Sequence, residues 1–539
     1  MLRGLVDGAQ VNARAVAAVA RTGLLRPQRP DRAARAGMEV IRRGPIAGSC
    51  TAAAIRWGDR PALTDELGTL SYAQLDERSN ALAHAWSADG VRPGDGIAIL
   101  CRNHRGFADA AYAATKLGLR CVFMNTEFAG PQIADVCERE RVSTLVFDAE
   151  YDDRAPAWAE RHYRAWTDDG TTDGAQATLD ELIAGSNPDR VPAPVEKPTI
   201  VLLTSGTTGT PKGAPRQEVG TLATLGGLFE RIPFRTGECT YIAPPMFHAV
   251  GFAHLGLALS LGCRVVTRRR FKAEELLAGV AEHRATMAVV VPAMLQRVLA
   301  LGQDRIAEFD TSSLRVIFSA GSQLPGAIAT ETLATFGDVL YVLYGSTEVA
   351  YASISTPADH RAAPTTVGRP VLGATVRLLD DAGREVPVGR TGRIFVSNGV
   401  EFEGYTDGTG KEVIDGVMSS GDVGHFDAEG RLFIDGRDDD MIVSGGENVF
   451  PQEVEELLLA HAAVADAAVI GVDDEDFGTR LRAYVVAAPS AAPGEDELRS
   501  YVKEHLARYK VPRDVVFVAE LPRNATGKVL KRELANLDG

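Results

Sequence analysis

Two spacings of apolar residues divide this chain into elements. From Trp57 onward, short apolar runs alternate with segments of helical period. Leu75, Ser79 and Leu82 recur on one face of a helix behind Ser71, whose hydroxyl suits an N-cap. Gly96-Ile97-Ala98-Ile99-Leu100 reads as a strand, the alanine-rich segment after it as a helix, and Cys121-Val122-Phe123-Met124 as the next strand. Helices alternating with strands predict a parallel sheet. Thr199-Ile200-Val201-Leu202-Leu203, 314–318 and 339–343 extend the pattern. Past residue 365 the spacing changes to hairpins, with turns at Asp381-Ala382-Gly383 and at Asp427-Ala428-Glu429-Gly430, which predicts a small β-barrel. In the last hundred residues Pro451 opens a helix with Val454, Leu457, Leu458 and His461 at i, i+3, i+4, i+7. Strands at 467–470 and 483–486 and a helix over about 496–506 complete a compact α+β unit.

Composition narrows the class. At 539 residues the chain exceeds one ordinary domain, and 45% apolar with 24% charged residues is a globular balance. No run of eighteen apolar residues occurs, so a membrane span is not expected. A formal charge of −15 argues against nucleic acid as a partner, since tracking phosphates needs a basic field. Six scattered cysteines without a C-x-x-C pair fit reduced thiols in a cytoplasmic protein, and His248 and His254, six apart, lack the spacing of a helical zinc pair. Residues 1–45 run against the global charge, with nine arginines to three acids. A packed N-terminal helix, a basic helix lying on an anionic bilayer, and a transit segment are the readings of that extension. Arg268-Arg269-Arg270 is a second basic cluster, readable as a solvated loop, a lid or a membrane contact.

The chemistry centres on Thr204-Ser205-Gly206-Thr207-Thr208-Gly209-Thr210-Pro211-Lys212-Gly213, at the end of an apolar strand. Glycines let backbone N–H groups converge on an anion, hydroxyls add donors, and Lys212 adds a compact charge. Such a loop suits a nucleotide polyphosphate. A Walker A loop needs Gly before the lysine and Ser or Thr after it, whereas Pro211 and Gly213 stand there. Two further strands end in Ala320-Gly321-Ser322 and Tyr344-Gly345-Ser346-Thr347-Glu348. Ligands bind beyond the carboxyl ends of parallel strands. The first loop offers flat backbone to a purine, Tyr344 a ring to stack on it, and Glu348 hard oxygens for Mg²⁺. Asp422 can accept two ribose hydroxyls and Arg437 can donate beside it. Asp438-Asp439-Asp440 is a solvated acidic run that suits a linker.

These segments, in this order over about residues 57–535, resemble the motifs of the adenylate-forming superfamily, which includes acyl-CoA synthetases, and the chain is similar to bacterial fatty acyl-CoA synthetases. The resemblance implies an α/β fold. A large domain (46–437) of two αβ-sandwich subdomains and a small β-barrel would be followed by a hinge at 438–440 and a small mobile α+β domain at 441–539. It implies ATP, Mg²⁺ and coenzyme A as cofactor and co-substrates. It gives Thr347 the α-phosphate, His248 the carboxylate and the thiol's route, Asp439 the pivot, Gly445 and Gly446 the pantetheine channel, and Lys528 the adenylation step. Arg393 stands where the family usually has an acid. The expected reaction joins a medium- to long-chain fatty acid to coenzyme A, releasing AMP and pyrophosphate. An aryl acid and a catalytically inactive binding protein on the same fold are the alternatives. A peripheral membrane contact through residues 1–45 and a second copy of the chain are further candidate partners.

Overall fold

The computed structural model describes residues 2–25, 30–155, 160–167, 177–204, 212–216, 222–400, 404–438, 442–444, 447–474, 478–489, 491–524 and 527–534. The chain forms two compact units. The first comprises Met1–Val290, Leu301–Phe318 and Gly399–Lys411; the second comprises Val291–Ala300, Ser319–Asn398 and Glu412–Gly539.

Two sheets with helical cover build the first unit. One orders its strands Arg161–Trp166, Val142–Asp148, Gly96–Leu100, Arg120–Phe123, Thr199–Thr204 and Lys212–Arg216. All neighbours run parallel except the last pair, which closes antiparallel. Ala98, Val122, Leu145, Phe147 and Val201 fill the core on one side, as the continuous apolar runs of a doubly covered sheet require. In the other sheet Met287–Val290, Cys239–Ile242, Arg264–Val266 and Pro61–Asp65 run parallel, and Gly68–Ser71 returns as a hairpin. Ser71 caps helix Tyr72–Ala88 reciprocally with Gln74, as its sequence predicts. All six cysteines are buried and free.

The basic N-terminus is helical, and its described side chains show it packed. Helix Leu2–Arg21 lies so close to Leu222–Arg231 that a Cβ on Gly226 would fall 2.4 Å from the Ala15 Cβ. Helix Pro30–Trp57 breaks at Gly44 (φ 79°), and its two halves fold back on each other around Gly48, where a Cβ would meet the Glu39 carbonyl at 2.7 Å. No helix among the described residues is long and apolar enough to cross a membrane.

Antiparallel pairing dominates the second unit. Leu340–Tyr344, Ser353–Ser355 and Arg369–Pro370 form one group. Thr375–Leu379, Gly392–Ser397, Val417–Phe426, Val413–Ile414 and Leu432–Arg437 form a five-stranded sheet. Strand Leu432–Arg437 also bridges Gly368 through Leu432, and the edge strand Val413–Ile414 is only two residues long. The C-terminal sheet orders Val464–Asp474, Gly478–Ala487 and Asp514–Phe517, with Pro451–Leu459 and Glu495–His505 packed on Val469, Leu481, Ala483 and Val485. The C-terminal residues also reach earlier parts of this unit: Gln296 Nε2 donates to the Ala465 carbonyl at 3.0 Å, and Gln323 Nε2 donates to Glu456 Oε1.

Candidate active site

In the first unit, Thr204 and Lys212 face each other as the last antiparallel pair of their strands. Thr204 ends the penultimate strand of its sheet, which runs parallel to Arg120–Phe123 and antiparallel to Lys212–Arg216. Ser205, Gly206, Thr207, Thr208 and Gly209 lie outside the described residues. Lys212 is held by a segment nearly two hundred residues downstream: Nζ stands 3.1 Å from Asp407 Oδ2, donates to Thr409 Oγ1 at 2.9 Å, and lies 5.1 Å from the Tyr405 ring centre. Hydrogen bonds from Thr409, and then Lys212, bring the Asp407 pKa down to about 2. Gly213 follows because its Cβ would fall 2.7 Å from Glu140 Oε1 and 2.8 Å from Thr406 Oγ1. Sequence reasoning missed this clasp, whose one local signal is the Asp-Gly turn at 407–408.

His248 sits at the N-cap of helix Ala249–Ser260, its ring 4.4 Å from that of Phe247. Its Nε2 is buried with no hydrogen-bond partner, and burial lowers its pKa to about 4. It is therefore a neutral imidazole with one ring nitrogen unsatisfied, a group suited to a polar ligand. His254, on the same helix, is a satisfied core residue: Nδ1 donates to the Val250 carbonyl at 2.8 Å. Cys101, His104 and Asp148 also cluster, but as a closed network. His104 Nδ1 accepts from the Gly106 N–H and Nε2 meets Asp148 Oδ1 at 2.7 Å, which leaves no ring lone pair for a metal.

The second unit carries the expected nucleoside groups. Ala320 is buried and Gly321 takes φ 99°, the left-handed backbone that glycine adopts without strain, with Ser322 beside it, partly buried. Tyr344 ends its strand; a Cβ on Gly345 would meet the Ala350 carbonyl at 2.1 Å, so the chain turns tightly there. Thr347 is partly buried. The Ser346 hydroxyl donates to Glu348 Oε2 at 2.8 Å and accepts from the Glu348 and Val349 N–H groups, aiming a mostly buried carboxylate. Asp422 and Arg437 are direct cross-strand partners, 3.4 Å apart at Oδ1 and Nη1. A β-bulge at Val423/Gly424 sets this register: counting back from Phe426–Leu432 without it would set Gly436 opposite Asp422. Tyr344 donates its phenol proton to Asp422 Oδ2 at 2.6 Å, and Ser420 Oγ, 3.1 Å from that phenol oxygen, accepts the Asp422 N–H. Burial first, and then Asp422, push the phenol pKa well above its usual value.

Lys528 is exposed on a turn closed by Asn524, whose N–H donates to the Lys528 carbonyl and whose Oδ1 accepts the Lys528 N–H, both at 2.9 Å. Gly527 (φ 77°) lets that turn approach Ala293, where a Cβ would fall 2.5 Å from the Ala293 Cβ. The expected hinge Asp439 and the glycines Gly445 and Gly446 lie outside the described residues. Arg393, which stands at a usually acidic position, donates to Asp438 Oδ2 at 3.1 Å and to Glu412. In the 268–270 cluster Arg270 is exposed and Arg268 and Arg269 are partly buried. Arg269 stacks on Trp166 at 4.5 Å, and it pairs with Glu150, as does Arg270.

Against known proteins, the AMP-binding enzyme family matches residues 50–406, and the AMP-binding enzyme C-terminal domain matches 453–528. The chain is 31% identical over 495 residues to a fatty acid–[acyl-carrier-protein] ligase, ScoC, of Streptomyces coeruleorubidus, covering 88% of this chain and 92% of that one. It is similar in structure to the amide bond synthetase McbA from Marinactinospora thermotolerans (TM-score 0.82, 28% identity, covering 92% of this chain and 100% of that one). It is likewise similar to the o-succinylbenzoate CoA synthetase of Bacillus subtilis in complex with its acyl-adenylate intermediate (TM-score 0.79, 27% identity, 90% and 97%). The chain belongs to the AMP-binding enzyme family and is an adenylate-forming acid–thiol ligase.

Proposed function

We infer that this chain activates a medium- to long-chain fatty acid with ATP and passes the acyl group to coenzyme A. The observation that carries the nucleotide half is the trio of Tyr344, Asp422 and Arg437: a carboxylate between an aromatic ring and a guanidinium, the donor and acceptor set a ribose with an adjacent base calls for. In the first step an oxygen of the acid attacks the α-phosphorus of ATP, and the bond to pyrophosphate breaks. Both partners are anionic, so the residues around them must offset charge and hold them in line. The loop at 204–209 with Lys212 takes the phosphates, Thr347 the α-phosphate, and Ala320, Gly321, Ser322 and Gly345 the base and backbone around it. Lys528 stabilises the charge that develops on adenylation. Mg²⁺ takes one or two carboxylates beside substrate phosphates, and Glu348, a single aimed carboxylate, fits that need; the ion would neutralise part of the triphosphate.

In the second step the thiol attacks the mixed anhydride at its carbonyl carbon and AMP leaves. The unsatisfied Nε2 of His248 supports a role for it in holding the acid and then in the route of the thiol. Asp439 serves as the pivot of a mobile C-terminal domain, and Gly445 and Gly446 line the pantetheine channel. A fatty acid is the substrate named for one relative, an aromatic acid for the other enzyme with a bound adenylate. The test is a competition. Equimolar palmitate, octanoate, ferulate and 2-succinylbenzoate are supplied with ATP, Mg²⁺ and either coenzyme A or a carrier protein, and the thioesters are resolved by mass spectrometry. Palmitoyl- or octanoyl-CoA dominating is the expected result; dominance of an aryl thioester, or transfer to the carrier protein alone, overturns the finer assignment.

A further inference from the structure

We propose that the outer face of the first half of helix Pro30–Trp57 is a docking surface for an anionic lipid bilayer, with Met38 and Ile41 entering the interface and Arg35 and Arg42 meeting lipid phosphates. The break at Gly44 makes residues 30–43 a separate helical arm folded back on the second half, and Ala36 and Val40 are the positions that pack with Ala52 and Ile55. At 100° per residue those two define the inner face, and Ala34, Met38 and Ile41 fall within about 60° of one another on the opposite side. Ile41 is 84% exposed and Met38 53%. Isolated exposed apolar residues need no explanation, but two large ones at i, i+3 on one arm form a stripe. Arg42 and Arg35 follow next around the helix, with Asp31 among them, all exposed, whereas Arg32 falls about 180° from Ile41, towards the packed face. An apolar stripe with arginines along its edge is the pattern of a helix that lies in a headgroup layer.

Charge selects the occupant. The chain carries a net −15, yet residues 1–45 hold nine arginines and three acids. A second copy of the chain would set this basic arm against another basic arm if the contact were two-fold symmetric, because such an interface meets its own patch. An anionic leaflet offers the complementary charge, at roughly five-fold in partitioning for each basic residue held near it. The arm lies apart in sequence from every residue given a role in adenylation, so lipid binding and turnover of a soluble acid are separable.

Full-length protein is sedimented with vesicles of phosphatidylglycerol and phosphatidylcholine, and with phosphatidylcholine alone, at low and high salt. Binding to the anionic vesicles only, weakened by salt, is expected. The variant Arg35→Gln/Arg42→Gln should lose on the order of twenty-five-fold in partitioning. Met38→Ser/Ile41→Ser should lose binding while keeping its thermal midpoint and its turnover of octanoate. Failure of the wild-type protein to bind, or equal binding by both variants, overturns the proposal. So does a concentration-dependent dimer that Met38→Ser/Ile41→Ser abolishes without any vesicle binding, which would make the face an interface between copies.

Discussion

The Tyr344 hydroxyl and the Asp422 carboxylate share a 2.6 Å hydrogen bond, and the other oxygen of Asp422 faces Arg437. A carboxylate oxygen has room for a second donor, so ribose hydroxyls can join this arrangement without dismantling it. Asp422→Ala removes the shared acceptor. A hydrogen bond to a charged group is worth ~1.5–3 kcal/mol, so the KM for ATP should rise by about ten- to a hundred-fold. Tyr344→Phe keeps the ring and should show a smaller rise in a steady-state titration of ATP. Equal effects of the two would assign the hydroxyl, not the carboxylate, to the nucleotide.

Lys212 is bonded to Asp407 and Thr409. For Lys212 to meet a triphosphate it must exchange one anion for another. Asp407→Asn weakens the resident partner, so the KM for ATP should fall severalfold with kcat and thermal midpoint unchanged. A raised KM would mean that Asp407 holds Lys212 in its working position.

The His248 Nε2 and the His254 side chain are buried, and desolvation lowers both pKa values to about 4. The unfolded value lies near 6.5, so between these limits the unfolded chain binds more protons, and stability present above pH 6.5 is lost as pH falls towards 4. His248→Phe removes one of these groups together with an unsatisfied buried nitrogen, a burden of about 1–3 kcal/mol. Its thermal midpoint should exceed that of the wild type, more at pH 5 than at pH 8, while acid activation falls. A midpoint gain that does not change with pH would contradict the titration of His248.

Glu456 gives the opposite sign. Burial first, then Glu455, Asp435 and Glu453, raise its carboxyl to about 7, while Gln323 donates to it. A raised carboxyl pKa favours the protonated form in the fold. Stability is full below the unfolded value near 4.3 and declines as pH rises to about 7, by roughly 1.4 kcal/mol for each pH unit crossed between the two. Glu456→Gln mimics the protonated acid. It should match the wild type in urea unfolding at pH 4.5 and exceed it at pH 8; the same difference at both pH values would count against a raised Glu456 pKa.

Sequence spacing shows the elements well where one face or both are buried by local pattern. The strand Thr199–Thr204, the capped helix behind Ser71 and the helix opening at Pro451 follow from residues within a few positions of one another. Long-range partners are another matter. Asp422 and Arg437 are identifiable as candidates from their types, but their facing register depends on a bulge that symmetric counting from the turn does not contain. Tyr344 lies 78 residues from Asp422, and Thr409 lies 197 from Lys212, separations at which period and propensity carry no information. Arg269 shows the same limit: three arginines in a row look solvated until Glu150 and Trp166 arrive from elsewhere in the chain.

Acid-dependent adenylation driven by Lys528 is the central claim, and pyrophosphate–ATP isotope exchange measures that step without any thiol. Wild-type protein should exchange label only when a carboxylic acid is supplied, with the fastest rate on medium- to long-chain acids. Lys528→Ala should abolish exchange yet still convert supplied acyl adenylate to the thioester. No exchange with any acid would contradict the adenylation claim, and exchange unchanged in Lys528→Ala would remove that lysine from the chemistry.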